Sequence, residues 1–191
     1  MNIKTILIVL ISPFLLNFFS NSKKDSISKS EYFTENINFS KNPTGSEKIE
    51  TISHQEEQEM IYLINKLRNN LGLKSLVRDE SLMNSARYHA ADMANENYFD
   101  HDTYNLTYGE LKFSIGTFER IKLFCFGVER FPNSENIAAG NNDANSTFNQ
   151  WANSPGHYKN MINPNSKFIG IGHYEISGSD FTYYWVMNTA I

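Results

Sequence analysis

Apolar residues recur at one spacing in the first half of this chain and at another near its end, and that change of period limits the fold more than any other feature. Met60, Ile64, Leu67 and Leu71 follow one another at intervals of three and four, as one face of a helix requires. Glu56, Glu57 and Glu59 lie at its start, where carboxylates suit the positive end of the helix dipole, and Gly72 supplies a C-cap. A second helix is predicted over 79–95, with Leu82, Ala86, Ala90 and Met93 on one face. By contrast, Phe168 to Tyr174 and Phe181 to Met187 are β-branched and aromatic runs parted by Ser177-Gly178-Ser179-Asp180, a hairpin signature. Helices early and strands late predict an α+β fold built in layers. Between them, 102–131 reads as irregular and aromatic-rich, with a short helix near 118–123. A further helix is predicted over 144–153, packing Phe148 and Trp151 and broken at Pro155-Gly156.

The N-terminus predicts export. Lys4 is the only early charge, and the apolar run from Ile6 to Phe19, interrupted by Ser12, Pro13 and Asn17, is short for a bilayer span. Residues 1–21 therefore read as a cleaved signal peptide, with an uncleaved membrane tether as the alternative and no stable membrane span in the mature chain. Residues 22–55, rich in Ser, Lys, Asn and Glu and without periodicity, read as a disordered linker, which leaves 56–191 as the folded domain. The chain has 191 residues, 40% of them hydrophobic, enough for one domain with a sizeable core. A net charge of −4 excludes the basic footprint expected of a nucleic-acid binder. Cys125 is the only cysteine, so an exported domain has no internal disulfide, and Cys125 is expected in the core. Sequons begin at Asn38, Asn105 and Asn145, in a chain rich enough in Asn for them to arise by chance.

Three polar clusters stand beside turns or apolar runs: Tyr98-Phe99-Asp100-His101, Ser134-Glu135-Asn136-Ile137-Ala138, and Trp151-Ala152-Asn153-Ser154-Pro155-Gly156-His157. Each has a plain explanation of its own. A histidine after an aromatic is usually a surface or satisfied core residue, Glu135 reads equally as a helix-start acid, and Ser154 as a cap. Neither His-x-x-x-His nor Cys-x-x-Cys spacing occurs. His89 is expected at the edge of the core and His173 as a strand residue. Ile169-Gly170-Ile171-Gly172 lies inside a strand with no helix start after it, so it is not a phosphate loop.

The order of the clusters is more specific than any one of them. Leu63-Ile64-Asn65-Lys66-Leu67-Arg68, Leu71-Gly72-Leu73, Phe99-Asp100-His101, Phe118-Glu119-Arg120-Ile121, Ser134-Glu135-Asn136-Ile137-Ala138, Ser154-Pro155-Gly156-His157-Tyr158 and Ile169-Gly170-Ile171-Gly172 follow in sequence. Over residues 61–190 the chain resembles a CAP (SCP) domain of the bacterial type, from the superfamily of cysteine-rich secretory, antigen 5 and pathogenesis-related proteins. That resemblance implies a three-layer α-β-α sandwich with a small antiparallel sheet and an open cleft holding two histidines and a glutamate. Carried over, these are His101, His157 and Glu135, with Ser154 and Asn136 alongside. Many eukaryotic relatives have a second glutamate where this chain has Ser154, and the usual glycine before the first is here Ser134.

Such a cleft is expected to bind a small or lipidic ligand, and His101 with His157 to hold a divalent metal such as Zn²⁺, with Glu135 as third ligand or as a partner to a ring N–H. The alternatives are a metal-assisted extracellular hydrolase acting on peptide or cell-wall material and a purely structural interaction module. A Ser154–His157–Glu135 triad is a further enzymatic arrangement, without a nucleophile elbow around the serine. Catalytic residues are not assigned, because fold does not fix function.

Overall fold

The computed structural model describes residues 37–191. The predicted signal segment, and the part of the linker before residue 37, lie outside the described residues. Among the described residues five helices and six strands follow in chain order: α1 (His54–Asn70), β1 (Val77–Arg78), α2 (Glu80–Asn95), β2 (Thr103–Thr107), β3 (Glu110–Ile115), α3 (Thr117–Phe124), β4 (Pro132–Ala139), α4 (Ala144–Ala152), α5 (Pro155–Met161), β5 (Phe168–Glu175) and β6 (Tyr183–Ala190). The main sheet has the order β1-β5-β6-β4, with β1 parallel to β5 and the other pairs antiparallel. The strands β2 and β3 form a separate hairpin.

Caps fix the helix ends. Ser53 and Asp79 accept first-turn amides of α1 and α2, and the chain leaves α1 with Gly72 in the left-handed region at φ 73°. Alternation along the last two strands serves both faces of the sheet. Tyr184 and Val186 pack with Ala86, Ala90 and Met93 of α2. Ile169, Ile171, Trp185 and Met187 point the other way, onto Met60 and Ile64 of α1, Trp151 of α4 and Met161 of α5. The result is the α-β-α sandwich, with α2 on one side of the sheet and α1, α4 and α5 on the other. Gly170 and Gly172 explain how closely α2 lies: a Cβ on either would come within 2.1 or 2.3 Å of the α2 backbone at Leu82 and Ala86. These glycines serve backbone contact.

Three expectations need correction. The folded domain does not begin at residue 56. Phe39 and Ile49 are buried with Tyr88, Ala91 and Phe124, and the Phe39 and Tyr88 rings lie 5.7 Å apart. Gly45, at φ 84°, sits so tightly on Leu123 that a side chain there would strike its carbonyl. Residues 37–53 are thus an irregular cover over α2 and α3, and its apolar residues are too widely spaced to show a period. Second, the stretch read as irregular contains the β2–β3 hairpin, turned by Tyr108 and Gly109, both at positive φ. Third, Glu135 opens no helix but lies in β4, where five consecutive residues from Ser134 to Ala138 are buried.

Candidate functional site

The site forms where the loop after α2 meets the start of α3 and the edge strand β4. Asp102 Oδ1 accepts from the Thr117 amide at 2.9 Å and its hydroxyl at 3.0 Å, which caps α3 from across the loop, since Gly116 has no side chain to do so. The Thr117 hydroxyl also donates to the His101 carbonyl at 2.9 Å. The loop is thereby stapled to the helix, and the His101 ring stands half-exposed above β4.

Beneath it runs a buried chain of charge. His101 Nδ1 lies 2.9 Å from Glu135 Oε1, and the other oxygen of Glu135 pairs with Arg120 of α3. The Arg120 side chain is wholly buried and that of Glu135 is 2% exposed. Arg120 also donates to the His101 carbonyl at 2.9 Å and to Thr103 Oγ1 at 3.0 Å. A guanidinium never loses its charge in a protein, so burying one calls for an anion at this point. The hydrogen bond that His101 donates to Glu135 raises the pKa of His101 above the ordinary histidine value, against the opposing effect of burial. Arg120 is the residue that sequence reasoning missed. It was visible only as a letter in a family motif, and nothing in the sequence marks an arginine as buried.

His157 is the third residue of α5. Its pKa is lowered, by burial first and then by the charge of His101. Its Nδ1 is buried and has no hydrogen-bond partner among the described residues. Asn136, fully buried, donates to the His157 carbonyl at 3.0 Å and accepts from Asn160 at 2.8 Å, while Asn160 also donates to the Glu135 carbonyl. Asn136 is therefore a bracket between β4 and α5. Ser154 is the N-cap of α5 and its hydroxyl makes no capping bond. The triad arrangement does not form: Glu135 is bonded to His101 and not to His157, and no hydrogen bond joins Ser154 to His157 among the described residues. His89 is fully buried on α2, with Nε2 at 2.9 Å from the Asp100 carbonyl, and burial drives its pKa well below the ordinary value. His173, also buried, stacks on Trp185 with ring centroids 3.9 Å apart.

A cleft of about 520 Å³ opens above this chain, walled by His101, Asp102, the start of α3 from Gly116 to Glu119, Ser134, Glu135 and Asn160. Most of its lining residues are polar, with Phe118 as the one large apolar residue. The structure thus brings His101 and Glu135 together in the cleft. His157 is not among the lining residues. No group of three or more His, Cys, Asp or Glu suited to a metal occurs among the described residues. Nor, among them, is any helix long and apolar enough to cross a membrane.

Residues 61–189 match the cysteine-rich secretory protein family, CAP. The chain is 38% identical over 149 residues to the uncharacterized protein YkwD of Bacillus subtilis (strain 168), covering 75% of this chain and 54% of that protein. It is 30% identical to the uncharacterized membrane protein YlbC of the same organism, over 66% of this chain and 34% of that one. The chain thus spans about half and about a third of the length of these relatives. Among solved structures it is similar to an extracellular protein containing an SCP domain from Bacillus anthracis, with a TM-score of 0.60 and 28% identity over 73% of this chain and 41% of that one. An outer surface protein from Borrelia burgdorferi, 23% identical with a TM-score of 0.57, shares the fold over 74% of this chain and 96% of its own.

Proposed function

The chain belongs to the cysteine-rich secretory protein (CAP) family, and on that premise we propose that it is an extracellular binding protein whose cleft takes a small ligand bearing an anionic oxygen, held by His101. The observation that carries this reading is the hydrogen bond between His101 and Glu135, which favours the charged imidazole while Arg120 secures the carboxylate from behind. A half-exposed imidazolium at the mouth of a polar cleft is a receptor for carboxylate or phosphate. The polar side chains of His101, Asp102, Thr117, Ser134 and Asn160 along the cleft favour a small ligand that can hydrogen-bond to them. Both oxygens of Glu135 are engaged, which supports binding over the turnover expected of a metal-assisted hydrolase that needs this carboxylate as its base. Location outside the cell is supported by the similarity to the extracellular Bacillus anthracis protein.

A second reading, Zn²⁺ on His101 and His157, is favoured by the same bond. A carboxylate on Nδ1 fixes the proton there and leaves Nε2 as a donor, an arrangement common behind metal-bound histidines. The fit is incomplete, because two imidazoles are one short of the three protein ligands usual at catalytic zinc and Glu135 is already engaged. The residues suit a weak site completed by water, and a metal held there would polarise an oxygen of the ligand.

Protonation separates the two readings. Calorimetric titration with inorganic phosphate should give affinity that falls as pH rises through the elevated His101 value, because the anion needs the imidazolium. Zinc affinity should move the other way, starting to fall above the ordinary histidine range of about 6.5 as pH decreases. His101→Ala should abolish phosphate binding and His89→Ala should leave it intact. No phosphate binding at about pH 6, or binding indifferent to His101→Ala, overturns the anion reading. Zinc binding lost in both His101→Ala and His157→Ala would put the metal reading in its place.

A further inference from the structure

On the other side of the loop that carries His101 lies a smaller depression of about 210 Å³, walled by Tyr98, Phe99, Asp100, Tyr104 and Leu111. We propose that this depression is a second ligand site, separate from the cleft, that takes the trimethylammonium group of a choline-type cation.

Three observations lead there. The first is the shape of its aromatic walls. Tyr98 and Tyr104 meet at 70° with centroids 5.4 Å apart, so two rings form a corner, and Phe99 stands on Phe181 at 5.7 Å to make a third wall. Tyr98 is buried and forms the floor, while the half-buried Tyr104 and the exposed Phe99 offer ring surface to a cation, as the walls of aromatic cages do for quaternary ammonium groups. Tyr98 is fixed from behind by its hydroxyl bond to buried Asp92, so that ring is set in place before any ligand arrives.

The second observation is charge. Asp100 is the charged residue in the wall, and among the described residues no basic side chain lines the depression. The Tyr104 hydroxyl has its pKa raised, chiefly by Asp100 and also by Asp102, so a negative field reaches this ring. The hairpin's lysine, Lys112, alternates with Leu111 and Phe113 and so belongs to the opposite face, where Asn105 and Ser114 bond to Asn42. The third is size. The depression is smaller than the roughly 300 Å³ at which drug-sized ligands are usually housed. It suits a head group rather than a whole acyl chain or sterol. Leu111 and Phe99 remain substantially exposed, which is unexpected for rings and aliphatics that merely fill a core.

The test is calorimetric titration of the full chain with choline, beside its neutral carbon isostere, in which a tert-butyl group replaces the trimethylammonium. Choline should bind at least about tenfold more tightly than the isostere, since the two share shape and differ in charge. Tyr104→Ala should weaken choline binding by about tenfold and Tyr104→Phe should keep it. Asp100→Asn, which retains the acceptor for the Asp102 amide, should weaken it while leaving the melting temperature unchanged. Sedimentation with phosphatidylcholine vesicles then places the head group on a lipid, and choline binding without sedimentation places it on a free molecule. Absence of choline binding, equal affinity for the isostere, or indifference to both Tyr104→Ala and Asp100→Asn overturns the proposal.

Discussion

Replacing Glu135 by glutamine keeps the shape of the side chain and removes its charge, so the cost measures what the buried Arg120 requires. Neither partner is open to solvent: the Arg120 side chain is 0% exposed and that of Glu135 2%, so screening by water gives no relief. Removing one partner of a buried pair costs about 3–5 kcal/mol, because the remaining charge is left uncompensated. Arg120 keeps its bonds to the His101 carbonyl and Thr103, which places the expected loss near the lower end, about 3 kcal/mol. For a domain of this size each kcal/mol shifts the melting temperature by about 2–4 °C, so Glu135→Gln should melt about 6–12 °C lower in a calorimetric scan. The double variant Arg120→Leu/Glu135→Leu should recover much of that loss, since it buries no orphan charge. Followed by NMR, the His101 ring in Glu135→Gln should titrate closer to the ordinary value of about 6.5. A melting temperature within a degree or so of the wild type, or a double variant worse than the single one, would refute the account of Arg120 as a charge that Glu135 must balance.

Truncation to a chain starting at His54 should lower the melting temperature by more than about 6 °C, because it strips Phe39 and Ile49 from Tyr88 and Phe124. Phe39→Ala alone should account for about 3 kcal/mol of that loss, and an unchanged cooperative melt in either variant would restore the linker reading. The histidines give opposite signs with pH. The folded pKa of His101 is raised, so its contribution is fully present below the unfolded value of about 6.5 and is lost as pH rises through the folded one. The stability gap between wild type and His101→Ala should therefore narrow on raising pH, as read from urea midpoints. His89 is depressed, so the unfolded chain takes up its proton first and the protein should weaken as pH falls below about 6.5. His89→Gln should flatten that limb, and an unchanged slope would exclude His89 as its cause.

What was legible in the sequence were the elements that bury one continuous face or end in a specific residue. α1 and α2 declared themselves by spacing, α1 also by Gly72 at its end, and β5 and β6 by apolar runs around a Ser-Gly-Ser-Asp turn. The elements that escaped have weaker local signals. The β2–β3 hairpin turns on Tyr108-Gly109 where Asn-Gly is the familiar signal, and β3 is exposed along most of its length. β4 is buried residue after residue, so no alternation marks it as a strand. The candidate site was half visible. Family order named His101, Glu135 and His157, and the structure joins the first two. Arg120, which holds the other oxygen of Glu135, could not be found from sequence, because burial of a charge depends on partners 15 and 17 residues away in the chain.

The two bare positions in β5 have a consequence for how this domain tolerates change. At Gly170 and Gly172 the helix α2 rests on peptide groups rather than on side chains. Side chains can be exchanged and repacked, whereas a peptide group is common to every residue and cannot be resized. α2 therefore has a fixed seating, and the loop at its far end inherits that position together with His101 and the tyrosine corner. Substitutions among Met60, Ile64, Trp151 and Met187 on the opposite face can drift over time without moving the seat. In this fold the inner layer acts as the reference surface, and both candidate sites are measured from it.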